Sequence, residues 1–99
     1  MSYAKRYVDE AVTDLRRLRA QHRPIYNSAE SLILLACEHP GEIGYPLEDD
    51  WEGCRAVHFW NDDYRLIWEE DDEAKLVIVL RVAKRFVRGR SLYDHPRPG

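Results

Sequence analysis

His58 and Arg65 stand on either side of an Asn61-Asp62 pair, in two runs (Arg55 to Trp60 and Tyr64 to Glu70) whose polar and apolar residues alternate. If Asn61-Asp62 is a two-residue turn between antiparallel strands, Trp60 lies opposite Asp63, Phe59 opposite Tyr64, His58 opposite Arg65 and Val57 opposite Leu66. An imidazole that titrates at about 6.5, beside a guanidinium that keeps its charge, is suited to moving a proton next to an anion. Arg81 and Arg85 are expected to add to the same open face. Residues 81–99 carry six basic residues against one acid, Asp94, whereas residues 41–80 carry three basic residues against twelve acidic ones. The net charge of −3 therefore hides a basic tail on an acidic body.

The elements that must hold these residues follow from periodicity. Tyr3 to Val8 reads as an edge strand, and Asp9 stands where an N-cap is wanted. Val8, Ala11, Val12, Leu15 and Leu18 recur at three- and four-residue steps, which makes one apolar helical stripe. Pro24 breaks or restarts the helix. A second helix is expected from Ile25 to Glu38, buried through Ile25, Ala29, Leu32, Ile33 and Ala36 and ended by His39-Pro40-Gly41. Residues 41–53 read as a loop. In the meander that follows, Val57, Phe59, Tyr64, Leu66 and Trp68 share the helix side, while Ala56, His58, Trp60, Arg65, Ile67 and Glu69 share the other. A one-residue slip would bury Arg65 and expose Leu66 and Trp68, so the pattern selects this register. The Leu-Val-Ile-Val-Leu run within Lys75 to Ala83 predicts a strand buried on both faces at the centre of the sheet.

The fold class is therefore α+β, in the order β-α-α-β-β-β, with a helical hairpin on one face of a small, mostly antiparallel twisted sheet. One domain over residues 1–94 is expected, with 95–99 as a loose C-terminal end. Cys37 and Cys54 have no metal spacing and are too few for a disulfide framework, which fits a reducing cytoplasm. The longest apolar stretches fall far short of the roughly 20 residues that span a bilayer. His22, His39 and His95 are scattered, so no metal site is expected.

The order of elements and four local stretches resemble the RelE/ParE toxin superfamily over essentially the whole chain. They are Tyr3 to Leu18, Pro46-Leu47, Asp63 to Trp68, and Leu80 to Arg85 followed by Ser91-Leu92-Tyr93. The resemblance implies a toxin of a type II toxin–antitoxin pair, masked by a cognate antitoxin. Its target is the ribosome and its bound mRNA or, in the ParE branch, DNA gyrase. It also implies that Arg65 matches the arginine of the family's "YR" strand, Arg85 that of its "KR" motif, and Tyr93 the tyrosine near the C-terminus. His58 takes the place of a strand lysine. The other strand lysine would fall at Ala56, so one electrostatic contact is missing. The sequence pI of 5.8 also departs from the basic character of ribosome-dependent members.

For a metal-independent endoribonuclease without cofactor, attack of a 2′-hydroxyl on its own phosphate needs a base, cations for the phosphoryl oxygens and an acid for the leaving oxygen. His58 is the candidate base or acid. Arg65 and Arg85 would clamp the phosphate, Tyr93 would stack on a base or orient the 2′-hydroxyl, and Arg81, Lys84, Arg88 and Arg90 would contact the RNA backbone. Plainer roles compete. Arg65 could pair with Glu69 or Glu52, the basic tail could dock an acidic antitoxin segment, Tyr93 could anchor the tail, and Trp51 could cover a core edge rather than bind a partner.

Overall fold

Alternation at two-residue steps fixes the middle of the chain as read above. A computed structural model describes residues 2–98. In it β3 (Cys54–Phe59) and β4 (Tyr64–Asp71) pair antiparallel, with Phe59 opposite Tyr64, His58 opposite Arg65 and Val57 opposite Leu66. The Asp63 amide donates to the Trp60 carbonyl, and Asn61 and Asp62 take φ of 57° and 67°. Both residue types tolerate the left-handed region, which a tight hairpin turn of this kind requires.

The five-stranded sheet has the order β1-β5-β4-β3-β2, where β1 is Ala4–Tyr7, β2 Tyr45–Pro46 and β5 Leu76–Lys84. Only β1 and β5 run parallel. The middle position belongs to β4 rather than to the Leu-Val-Ile-Val-Leu strand, which lies beside it. Leu66, Ile67 and Trp68 are accordingly buried in succession, because a centre strand is covered on both sides.

The helices α1 (Asp9–Gln21) and α2 (Arg23–Glu38) form the expected hairpin. Val8, not Asp9, takes the N-cap position and makes no side-chain cap; Asp9 and Glu10 instead lie in the first turn, where their charge complements the helix dipole. Pro24 sits in the first turn of α2, where its missing N–H costs nothing, so that helix starts before Ile25. Ala11, Leu15, Ile25, Ala29 and Ile33 close over Leu66, Trp68, Val77, Val79 and Val82 as the main core.

A second, smaller core lies on the opposite face, where Trp51 and Leu92 pack on Cys54, Ala56, Ile67 and Leu80. Two segments read as irregular supply it. The 41–53 loop contains β2 and a 3-10 turn at Asp49–Trp51, and the tail contains β6 (Phe86–Val87), β7 (Arg90–Ser91) and a 3-10 turn at Leu92–Asp94. The loop passes close over the sheet at Gly44, where an added Cβ would stand 2.4 Å from the Ala56 carbonyl oxygen and 2.8 Å from the Trp68 ring. With φ at 75° as well, the position admits only glycine without rearrangement. Beyond the second core, Arg97 donates to the Glu52 carbonyl and pairs with Glu69, and Pro98 is buried. The last residues described are thus tied to the sheet rather than loose.

Both cysteines are free and buried, and burial pushes each thiol up from its ordinary value. Among the described residues no helix is long and apolar enough to cross a membrane, and no group of three or more His, Cys, Asp or Glu side chains could hold a metal ion.

Candidate functional site

Arg65 and Arg85 reach one pocket from different elements. Arg65 rises from the first turn of β4, while Arg85 follows β5 directly and is fixed because its amide donates to the Asp63 carbonyl and its carbonyl accepts from Leu92. With Asp62, Asp63, Lys84 and Phe86 they line a shallow pocket of about 230 Å3. Its lining sets three cations against the two carboxylates of Asp62 and Asp63, the guanidinium groups offering planar pairs of donors and the lysine a point charge.

Each guanidinium is partly committed. Arg65 Nη1 donates to the carbonyls of Asp62 at 2.5 Å and Tyr64 at 3.1 Å, while its Nε is buried without a partner. Neither Glu69 nor Glu52 pairs with it: the Glu69 carboxylate serves Arg97, and Glu52 meets Arg97 through its backbone carbonyl. Arg85 donates from Nη1 to the Ser91 hydroxyl, and its guanidinium carbon lies 4.4 Å from the Phe86 ring centre and 4.6 Å from that of Tyr93. Two aromatic rings and a hydroxyl therefore set its orientation.

Tyr93 is held in the second core. Its backbone carbonyl accepts from the Trp51 indole at 3.2 Å, and the two rings meet edge to face at 5.9 Å. Trp51 covers a core edge and is itself buried. The Tyr93 hydroxyl is buried with no hydrogen-bond partner. Burial, reinforced by the neighbouring Tyr45 hydroxyl, pushes its pKa up to about 12, against the opposing pull of Arg65 and Arg85. A phenol raised this far stays protonated at neutral pH and is unsuited to take a proton there.

His58 lies across from Arg65 as expected, with half of its side chain exposed. Its Nδ1 stands 2.5 Å from the Asp62 carboxylate, and its ring is 6.1 Å from that of Tyr45. Neither Asp62 nor Tyr45 was singled out by the sequence. Asp62 could have been, because a two-residue turn brings its side chain back toward a residue four positions earlier.

Of the expected backbone-contact residues, Arg81, Lys84 and Arg90 line one groove and Arg88 does not. Lys84 lines the Arg65 and Arg85 pocket, but Arg81 does not reach it. It pairs with buried Asp14 of α1 at 2.7 and 3.2 Å, and Asp14 also accepts from the Val82 amide at 2.9 Å. β1 ends opposite Val79, so beyond that point β5 has an uncovered edge, and the Asp14 carboxylate stands in for the missing strand. The ladder has a register shift here: Ile67 lies opposite Arg81 and Trp68 opposite Val79, which leaves Leu80 as an extra residue. That groove, of about 410 Å3 against α1, also takes in Arg17 and adjoins the Arg65 and Arg85 pocket through Lys84, which lines both, while Arg88 sits at the tip of the β6–β7 hairpin with φ of 53°. Ala56, at the place of the absent lysine, is fully buried under the second core.

A family model described as the ParE toxin of the type II toxin–antitoxin system parDE matches residues 4–85. Among solved structures, a chain of the toxin–antitoxin complex RelBE2 from Mycobacterium tuberculosis is 27% identical, with a TM-score of 0.73 over 86% of this chain and 93% of that one. The isolated E. coli RelE toxin is 20% identical, with a TM-score of 0.74 over 94% and 92%. The YoeB/ParE toxin from Agrobacterium tumefaciens is 13% identical, with a TM-score of 0.76 over 84% and 99%. No curated protein matches the chain by sequence.

Proposed function

We propose that this chain, which belongs to the ParE toxin family of type II toxin–antitoxin systems, blocks translation by cutting mRNA on the ribosome. The observation that carries the reading is the convergence of Arg65, Lys84 and Arg85 on one pocket, with His58 joined to its rim through Asp62. A phosphate seated there meets Arg65 and Arg85, while His58 takes the proton of the adjacent 2′-hydroxyl. The 2′ oxygen bonds to phosphorus, the bond to the 5′ oxygen breaks, and that oxygen takes a proton from solvent at this half-exposed site. The products are a 2′,3′-cyclic phosphate and a free 5′-hydroxyl. Charge gathering on the phosphoryl oxygens is met by groups already in place, which is where such a site gains most of its rate. Tyr93 remains protonated and serves as a stacking surface and brace for Arg85. Arg81, Arg88 and Arg90 lie apart from this pocket and are left to contacts with flanking RNA or with the antitoxin.

A cognate antitoxin partner is part of the proposal and is supported by the toxin–antitoxin complex among the structural relatives. One observation favours a second reading, a gyrase poison that binds without cutting RNA. The place of the absent strand lysine is not an open surface but the inside of the second core, so Ala56 cannot be read as a vacant phosphate contact.

Induction in a bacterial host, with pulse labelling of protein and DNA in the first minutes, separates the two. The endonuclease reading expects amino-acid incorporation to collapse first, Arg85→Ala to restore it, and primer extension to map cuts within codons of translated messages. Thymidine incorporation failing first while translation continues overturns it in favour of gyrase.

A further inference from the structure

We propose that Asp62 is a positioning residue of this site, which holds His58 in the tautomer whose outward nitrogen accepts a proton and at the same time anchors Arg65. The proposal rests on the endonuclease reading for its role in catalysis, but its structural half stands on the turn alone. Asp62 makes two contacts from one residue. Its carboxylate lies 2.5 Å from His58 Nδ1, and its backbone carbonyl accepts from Arg65 Nη1 at 2.5 Å. An ionised carboxylate has no hydrogen to donate, so the hydrogen of that bond must be on Nδ1. In neutral His58 the second nitrogen, Nε2, is then the lone-pair acceptor. It is the atom placed to take a proton.

The left-handed conformation of Asn61 and Asp62 makes this double contact possible, because it folds residue 62 back over the strand that carries His58. Asp62 also lines the pocket of Arg65, Lys84 and Arg85, so the imidazole and the cations share one anchor. Any rearrangement of the turn moves base and phosphate clamp together. A general base needs geometry before it needs basicity, and a freely rotating imidazole with half of its surface in water would lack it.

The variant that tests this is Asp62→Asn, which is isosteric, suits the left-handed region equally well and keeps the backbone carbonyl that holds Arg65. Its amide can donate, so it accepts the opposite tautomer. Nitrogen-15 spectra of the ring in the purified full chain are the readout, with His58→Gln to assign the signals. At a pH where His58 is neutral, the wild type is expected to show Nδ1 protonated and Nε2 bare, and Asp62→Asn to shift the population toward protonated Nε2. Message cleavage in a ribosome assay is expected to fall about ten- to a hundredfold, part of the roughly hundred- to ten-thousandfold that a positioned acid–base group supplies. A wild-type ring protonated on Nε2, or a spectrum unchanged in Asp62→Asn, overturns the proposal. If the tautomer exchanges as stated but His58→Gln cleaves normally, the positioning of the ring stands and the catalytic reading of His58 falls. If His58→Gln is inactive while Asp62→Asn cleaves at the wild-type rate, the reading of His58 stands and the positioning role falls.

Discussion

The two faces of the sheet are built to different standards. On the helix face, apolar stripes from α1 and α2 meet Leu66, Trp68, Val77 and Val79, and the pattern that specifies the contact is unbroken. On the opposite face, a short loop and the tail supply Trp51, Leu92 and Tyr93, and the same layer holds both buried polar atoms without a partner among the described residues, Arg65 Nε and the Tyr93 hydroxyl. Buried donors are normally satisfied, and each orphan costs about 1 to 3 kcal/mol. One face secures the fold, and the other gives up some of that stability to hold cations and a phenol in a fixed arrangement. Removing an unpartnered polar atom on the second face should therefore raise stability while lowering activity, whereas truncating the core on the first should lower both.

Trp68→Ala gives the largest expected effect, a loss of about 3 to 5 kcal/mol by denaturant titration, because the cavity lies in a closed core. Trp51→Ala should cost visibly less, since the smaller core sits under a loop and a tail that can settle into the gap. Equal losses would remove the distinction between the faces. Next comes Asp14→Ala, expected to cost about 3 kcal/mol by leaving Arg81 partly buried without its partner and the Val82 amide open. A value below about 1 kcal/mol would show that this edge is not held by the ion pair.

Tyr93→Phe sharpens the contrast most directly. It removes an orphaned hydroxyl and should raise stability by about 1 kcal/mol while lowering toxicity, the trade expected of a residue kept for function. Loss of stability in that variant would mean the hydroxyl is satisfied after all. The smallest effect is in the pH profile. The Tyr93 phenol titrates at about 12 in the folded chain against about 10 when unfolded, so the unfolded state releases its proton first as pH rises. The contribution is complete below pH 10 and is lost between about 10 and 12. Tyr3, Tyr7 and Tyr64 are shifted the same way, so the wild type should lose stability there and Tyr93→Phe should lose less.

Legibility in the sequence follows the same division. The register of His58 against Arg65 was readable because one choice buries Leu66 and Trp68 and the other buries an arginine. The tail was not readable as β6, β7 and a 3-10 turn because Phe86 and Val87 are exposed and carry no periodic signal. The Arg81 contact is hidden for a different reason: its partner Asp14 lies on α1, at an edge of β5 that β1 leaves uncovered, and no local pattern in β5 reports it. The Asp62 contact depends on the sense in which the turn folds, which residue types constrain only to the left-handed region. Arg65 and Arg85 follow from strand register and position, with roles implied by the resemblance, whereas the partners that orient Arg85, Ser91 and Phe86 among them, required the fold.

The extra residue in β5 has one more consequence. Because Leu80 and Arg81 both answer to Ile67, the strand carries one letter more than its ladder needs, and removing either would leave every other side chain facing where it does now. Deletions inside a strand usually invert everything downstream. This strand tolerates that loss in geometry but not in content, since Leu80 fills the second core and Arg81 meets Asp14. Two duties are written at a single rung, and a lineage could drop one of them without redrawing the sheet.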